Sequence, residues 1–230
     1  MSDDLNFEKQ NPTKALVVLS GGQDSTTCLY WALEEFDEVH CITFDYGQRH
    51  AIELKAARTV AVMANESSRG RIKTHEVVSL HAKGDITIPG ESTFFIEQDK
   101  ILDGTSPLVS DNQLEQYADH QSLPGGLEKT FVPMRNQMFL TIAANRAYCR
   151  NITHLVTGVC QEDNGGYPDC TQAFIDALAL ACNRGSFTGK DGAPSYLRIH
   201  TPLMNLSKAQ SVHLALKHPG CYAALAYSHT

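Results

Sequence analysis

The sequence predicts an α/β domain with a mainly parallel sheet and helices on both faces. Short apolar runs rich in β-branched residues alternate with segments whose apolar residues recur at helical spacing, the pattern of successive β-α-β crossovers. The first run leads into a Ser-Gly-Gly turn, as expected of a strand entering a loop. With 230 residues, 42% of them hydrophobic, the chain can fill one sizeable core, against a prior of roughly 100–200 residues per domain. Residues 1–230 are read as a single domain.

Lys14 to Leu19 is the first strand, and Leu29, Ala32, Leu33 and Phe36 mark the helix that follows. Val39 to Phe44 is the second strand. Ile52, Ala56, Val60 and Met63 define the buried face of a second helix, and Thr74 to Leu80 form a third strand. Residues 91–128 break the pattern. They hold eight acids and one lysine with little sustained period, and read as an elaborated connection lying over a site. Asn136 to Cys149 is a helix burying Phe139, Leu140, Ala143 and Ala147. Then come a strand at 152–159, a helix at 171–182 and a strand at 196–200. Ser207 and Gln210 have capping-box spacing at the start of a last helix, which Pro219-Gly220 should stop.

Composition narrows the function. A mean hydropathy of −0.25 and 20% charged residues exclude wholesale disorder. No apolar run approaches the roughly 18–20 residues of a membrane span. The acidic N-terminal stretch lacks the basic-then-apolar order of a secretory signal, so a cytoplasmic protein is expected. The net charge of −7 opposes extensive phosphate gripping, so nucleic acid is not an expected partner. Seven cysteines at 28, 41, 149, 160, 170, 182 and 221 include no C-x-x-C pair. They read as free thiols in a reducing compartment.

Ligands of such sheets bind beyond the carboxyl ends of the strands, where the polar motifs here also fall. Ser20-Gly21-Gly22-Gln23-Asp24-Ser25 lies between the first strand and the first helix. Its glycines let backbone N–H groups approach an anion, the helix N-terminus adds partial positive charge, and Ser20, Ser25 and Thr26 add hydroxyls. Alternatively, the run is a plain turn with Asp24 or Ser25 capping the helix. It matches neither the Walker loop nor the dinucleotide fingerprint. Phe44 to His50 packs Asp45, Tyr46, Gln48, Arg49 and His50 around Gly47. Arg135 has the geometry to grip phosphate or carboxylate, and Asn136 reads equally as a ligand contact or an N-cap. Asp169, in Gly165-Gly166-Tyr167-Pro168-Asp169-Cys170, could accept from an N–H/NH₂ edge like that of guanine, or cap the next helix. Thr201 to Met204, with Ser207 and Lys208, reads mainly as capping and core packing.

The Ser20–Ser25 run resembles the S-G-G-x-D-S signature of the PP-loop ATP pyrophosphatases, Rossmann-like domains of HUP type that cleave ATP between its α and β phosphates. Ser20–Leu29, Glu38–His50, Phe131–Asn136, Gly158–Asp163 and Gly166–Cys170, taken in this order, resemble the 7-cyano-7-deazaguanine synthase (QueC) family. The likeness runs from Ala15 to about Lys208. It implies that 7-carboxy-7-deazaguanine, ATP and ammonia yield the nitrile of the queuosine pathway through adenylated intermediates. It also implies roles for particular residues. Leu19, Ser20, Gly21, Gly22, Gln23, Asp24, Ser25, Thr26 and Thr27 would bind ATP. Asp45, Gln48, Arg49, Arg135, Tyr167 and Asp169 would surround the deazapurine. Asp24, Ser25 and Arg135 would be catalytic, and Asp24 is the candidate contact for Mg²⁺. A homodimer is implied too.

Three positions depart from the family pattern. Met134 stands where the family has glycine, Gly165-Gly166-Tyr167 replaces Ser-Gly-Tyr, and Thr171 replaces an arginine. The resemblance further implies a zinc ion on four C-terminal cysteines. Those ligands are not among these residues, since Cys221 lies too early and no other cysteine has the spacing. The competing readings are a PP-loop enzyme that modifies a tRNA base and a nucleotide-binding module without catalysis. The first would bring a basic RNA-binding extension or paired catalytic cysteines, and the sequence shows neither.

Overall fold

The computed structural model describes residues 12–46, 51–80, 134–161, 167–186 and 196–229. Among them, β1 (Lys14–Val18), β2 (Glu38–Asp45), β3 (Ile72–Ser79), β4 (His154–Val156) and β5 (Arg198–His200) form one sheet. Its order is β3-β2-β1-β4-β5 and every pairing is parallel. The strand order therefore reverses between β1 and β4, which places a crevice at their carboxyl ends. The acidic connection at 91–128, together with Gln48 and Arg49, lies outside the described residues.

Alternation along β1 divides the interior into two cores. Ala15, Val17 and Leu19 face α1 (Gln23–Glu35), α2 (Ala51–Ser67), α5 (Lys208–Lys217) and α6 (Cys221–Leu225). Leu16 and Val18 face α3 (Arg135–Cys149) and α4 (Gln172–Arg184). Both faces are thus covered, as parallel strands require. Small residues set the spacing. Ala57, Ala61 and Ala64 in α2, and Ala143, Ala144 and Ala147 in α3, let these helices lie close on the sheet.

Several local readings are corrected. The buried face of α2 runs through Ala56, Ala57, Val60, Ala61 and Ala64, whereas Ile52 is 54% exposed. The reason is that α2 begins against the loop after β1, where a neighbouring backbone takes the place of a side chain. The fourth strand keeps only three residues, which pair with Ala15, Leu16 and Val17 of β1 on one side and with β5 on the other. A short α6 follows Pro219-Gly220, and Gly220 enters it at φ +82°. The capping box is present in full, with Ser207 Oγ accepting from Gln210 N–H and Gln210 Oε1 accepting from Ser207 N–H. Asn136 is not the cap of α3. That position belongs to Met134, which has no side-chain cap bond and sits at φ 61°, ψ 14°.

The left-handed Met134 accounts for the departure noted there. A side chain in this conformation costs roughly 1–2 kcal/mol, which glycine avoids. Thr171 also has a role of its own, since its hydroxyl caps α4 by accepting from Phe174 N–H at 3.2 Å. Met134 is exposed and its side chain contributes little packing. Met134→Gly should therefore raise stability by about 0.5–1 kcal/mol, after subtracting glycine's added unfolded-state entropy. Urea unfolding would read this as a higher midpoint at unchanged slope.

Candidate active site

A cavity of about 530 Å³ opens at the carboxyl ends of β1, β2 and β4. Its walls combine the Ser20–Ser25 loop, the aromatic end of β2, the start of α3 and the residues just after β4.

The loop is shaped by one close approach. Gly21 turns at φ +90°, and a Cβ there would stand 2.6 Å from both Ala57 N and Glu53 O of α2. No side chain fits. Gly158, after β4, is pressed similarly against the backbone of Asp24 and Ser25, at 3.1 Å. Ser25 organises the interior of the loop. Its Oγ accepts from Ser20 N–H and Gly21 N–H at 3.2 Å, accepts from Ser20 Oγ at 3.0 Å and donates to Gly22 O at 3.0 Å. The helix cap is Gly22, without a side-chain bond, so neither Asp24 nor Ser25 caps α1. Converging N–H groups at the start of a 13-residue helix form an anion cradle. His229 N–H donates to Gly21 O at 2.9 Å, tying the far end of the chain to the same turn.

Leu19, Ser20, Gly22, Gln23, Asp24 and Ser25 all line the cavity. Among the described residues, Gln23 Nε2 is buried without a hydrogen-bond partner, so it is a donor available to a ligand. Gly21, Thr26 and Thr27 do not line it. The Thr26 and Thr27 hydroxyls are buried and bond back to Gly22 O and Gln23 O. Their part is to hold the helix start, because a first-turn hydroxyl satisfies the nearest carbonyl.

The opposite wall is aromatic. Phe44 and Phe139 stack at 4.5 Å between centroids and 6° between planes, and Tyr46 meets Phe139 at 5.2 Å. Arg135, at the first position of α3, stands close enough to the Tyr46 hydroxyl to act on it electrostatically. Burial raises the pKa of that phenol, and the guanidinium partly opposes the rise. Tyr167 and Arg135 reach the cavity as expected, whereas Asp45 and Asp169 are not part of its lining. The Asp169 carboxylate is buried, and its Oδ2 accepts Asn136 N–H at 3.0 Å. It thus satisfies an orphan donor at the start of α3 in place of a cap. Asp169 thereby positions Arg135, its neighbour in that turn. Cys170 also lines the cavity, and burial first, then Asp169, pushes its thiol up to about 12.

Lys208 was missed as a site residue. Its Nζ lies 3.4 Å from both carboxylate oxygens of Asp24, across the cavity mouth. The sequence does carry a signal for it. A lysine at the first position of a helix opposes the macrodipole, so its charge is explained by an anion elsewhere. Phe139, read only as core, Glu53 on α2, and Thr157 and Gly158, just past the end of β4, are among the other omissions.

The parallel sheet, its crevice between β1 and β4 and the Ser-Gly-Gly loop define an ATP-using α/β domain of the PP-loop class. The fold agrees with the crystal structure of a 4-thiouridine synthetase–RNA complex with bound ATP. The TM-score is 0.52 at 14% identity, over 93% of this chain and 42% of that one. The family model of the queuosine biosynthesis protein QueC matches residues 14–230, and the chain belongs to that family. It is 47% identical over 219 residues to a 7-cyano-7-deazaguanine synthase of Gloeobacter violaceus, covering 94% of this chain and 82% of that protein. A synthase of the same name from Laribacter hongkongensis is 45% identical over 223 residues, covering 96% and 82% respectively.

The Asp24–Lys208 pair is partly exposed on both sides, so it adds little to stability and either partner is available to a ligand. Lys208→Met should weaken ATP binding about tenfold, the loss of one charge-assisted contact, with a melting temperature within about 2 °C of the parent. Calorimetric titration with ATP and a thermal melt check both.

Proposed function

We propose that the chain is an ATP-dependent ligase that converts 7-carboxy-7-deazaguanine and ammonia to 7-cyano-7-deazaguanine. The observation that carries the reading is the cavity itself. An anion cradle on one wall faces an aromatic and guanidinium wall on the other, so a triphosphate and a flat, carboxylate-bearing heterocycle can meet within it. Family membership supplies the particular pair of substrates.

The substrate carboxylate attacks the α-phosphorus of ATP, the bond to the bridging oxygen breaks and pyrophosphate leaves. Ammonia then adds at the acyl carbon, AMP departs and a proton is lost, giving the amide. The amide oxygen then attacks the α-phosphorus of a second ATP, releasing pyrophosphate, and loss of AMP with the two amide protons leaves the C≡N bond. In this sequence the residues position groups and stabilise charge. The N–H groups of the loop and Lys208 hold the phosphates. Arg135, beside Tyr46, orients the carboxylate toward them. Phe44, Tyr46 and Tyr167 pack against the ring. Gln48 and Arg49, outside the described residues, are carried as further deazapurine contacts, and Asp45 and Asp169 as supports of the same wall.

The carboxylates of Asp24 and Glu53 and the hydroxyl of Ser20 are hard oxygen donors on the phosphate side of the cavity. They suit Mg²⁺, which binds through few carboxylates together with substrate phosphates. Asp24 would hold it, and bound Mg²⁺ would neutralise phosphate charge. Among the described residues no three His, Cys, Asp or Glu side chains converge as metal ligands. They do not fit the zinc ion the family carries, and no step is assigned to it. Also among the described residues, no helix is long and apolar enough to cross a membrane. The reading treats residues 1–230 as one domain acting on a free base, in keeping with the net charge of −7. We propose that it works as a homodimer in the cytoplasm.

The protonated Cys170 is a poor nucleophile, so ammonia attacks the adenylate directly. The test is incubation with ATP, Mg²⁺, ammonia and 7-carboxy-7-deazaguanine, read by mass spectrometry. Nitrile, AMP and pyrophosphate are expected, whereas ADP alone would overturn adenylation. Cys170→Ala should still form nitrile, within about tenfold of the parent rate. A covalent role for the thiol would show as a loss of about 10⁴ or more.

A further inference from the structure

Two side chains, Thr43 on β2 and His75 on β3, and the backbone carbonyl of Leu19 meet beneath the loop, on the face that packs against α1 and α2. Leu19 lies one residue past the end of β1, and its N–H donates to Ile42 O at 2.8 Å. Its carbonyl accepts from Thr43 Oγ1 at 2.5 Å. Thr43 is 2% exposed. Its oxygen also lies 2.8 Å from His75 Nε2 on β3. Register explains the meeting, because His75 pairs with Cys41 and Thr43 follows two residues later on the same face.

The proton arrangement follows from the acceptors. A carbonyl can only accept, so the single Thr43 proton lies between Oγ1 and Leu19 O. His75 Nε2 must then carry hydrogen and donate to the remaining lone pair of Thr43. A histidine protonated on Nδ1 alone would compete for that one hydroxyl proton and leave the buried Leu19 carbonyl unsatisfied.

The Leu19 carbonyl matters because of what lies across its peptide bond. In a trans peptide the C=O and the following N–H point in opposite directions, and no cis bond occurs among the described residues. Fixing Leu19 O toward β2 therefore aims Ser20 N–H into the loop, where it meets Ser25 Oγ at 3.2 Å. This bond helps to hold Ser25, the residue that organises the loop at the start of α1.

We propose that Thr43 and His75 are positioning residues for ATP, forming a relay from His75 Nε2–H through Thr43 to the Leu19 carbonyl that fixes the Ser20 N–H on Ser25 Oγ and so shapes the cradle for the phosphates. Neither side chain lines the cavity. The proposal rests on the assignment of the loop to ATP, and goes beyond it by tying the loop to β3.

The test measures ATP and 7-carboxy-7-deazaguanine affinities separately, alongside a ¹⁵N spectrum of the histidines in the unsubstituted protein. Thr43→Val keeps the shape and removes the hydroxyl, and should weaken ATP binding about five- to tenfold, the scale of one misdirected hydrogen bond. Thr43→Ser should restore it to within about twofold of the parent. His75→Leu should mimic Thr43→Val, and His75→Gln, which keeps a donor near Nε2, should recover most of the loss. Deazapurine affinity should stay unchanged, which general loosening of the domain would not allow.

Equal ATP affinity in Thr43→Val and the parent would overturn the relay. So would a Thr43→Ser no better than Thr43→Val, or an unprotonated His75 Nε2. The last readout needs neither a variant nor nucleotide, so it decides the relay even if Thr43→Val folds poorly. A parent protein with no ATP affinity but a protonated His75 Nε2 would overturn the loop assignment, and with it the positioning role.

Discussion

Gly21 must turn with positive φ directly against the backbone of α2, and everything at the site depends on that contact. A Cβ would push the loop away from α2 by more than any side-chain adjustment could absorb, because both of its neighbours would be main-chain atoms. With the turn seated, Ser25 gathers the N–H groups of Ser20 and Gly21. The helix behind them starts at Gln23. Gly158 brings the end of β4 against the same helix start. The cradle is therefore a meeting of four backbone segments, including that of His229, and side chains only furnish it.

Much of this was legible in sequence for a physical reason. Burial on both faces forces parallel strands to be short, apolar and β-branched, and the helices between them to be amphipathic. That is why β1, β2, α1 and α3 fall within a residue or two of where periodicity put them. The failures occur where backbone replaces side chain as the packing partner. Ile52 has the spacing of a core residue but is exposed, whereas the next turn of α2, at Glu53, Ala56 and Ala57, packs its backbone and Ala56 Cβ on Gly21. β4 pairs over only three residues with each of its neighbours, an extent that no local pattern encodes. His218 caps the end of α5 and Gly220, at φ +82°, starts α6, and the Pro219-Gly220 signal conveyed only the ending.

The site was legible to the degree that its residues are adjacent in the chain. The loop is one run and was read whole, although Thr26 and Thr27 proved to face inward. Lys208 meets Asp24 across 184 positions, and only its odd place at a helix N-terminus hinted at the pairing. Asp169 was correctly singled out as a fixed acid, but its partner is the Asn136 N–H, 33 residues away. Met134 stood out as a departure from a family glycine, and its φ of 61° supplies the cause.

The net charge of −7 and the phosphate-rich substrate look incompatible only if phosphates must be held by cations. Here most of the donors are neutral. They are the N–H groups of the loop, the partial charge of α1 and the amide of Gln23, with two cationic side chains, Lys208 and Arg135, in the described wall. Neutral donors fixed by the fold lose no freedom when the anion arrives and need no counter-ions displaced from a basic surface. They also discriminate. A basic groove would attract any polyanion, RNA included, whereas a cradle a few N–H groups wide accepts only a phosphate that can enter the turn. A net charge of −7 and a cradle built largely of neutral donors are therefore compatible in one ATP-using domain.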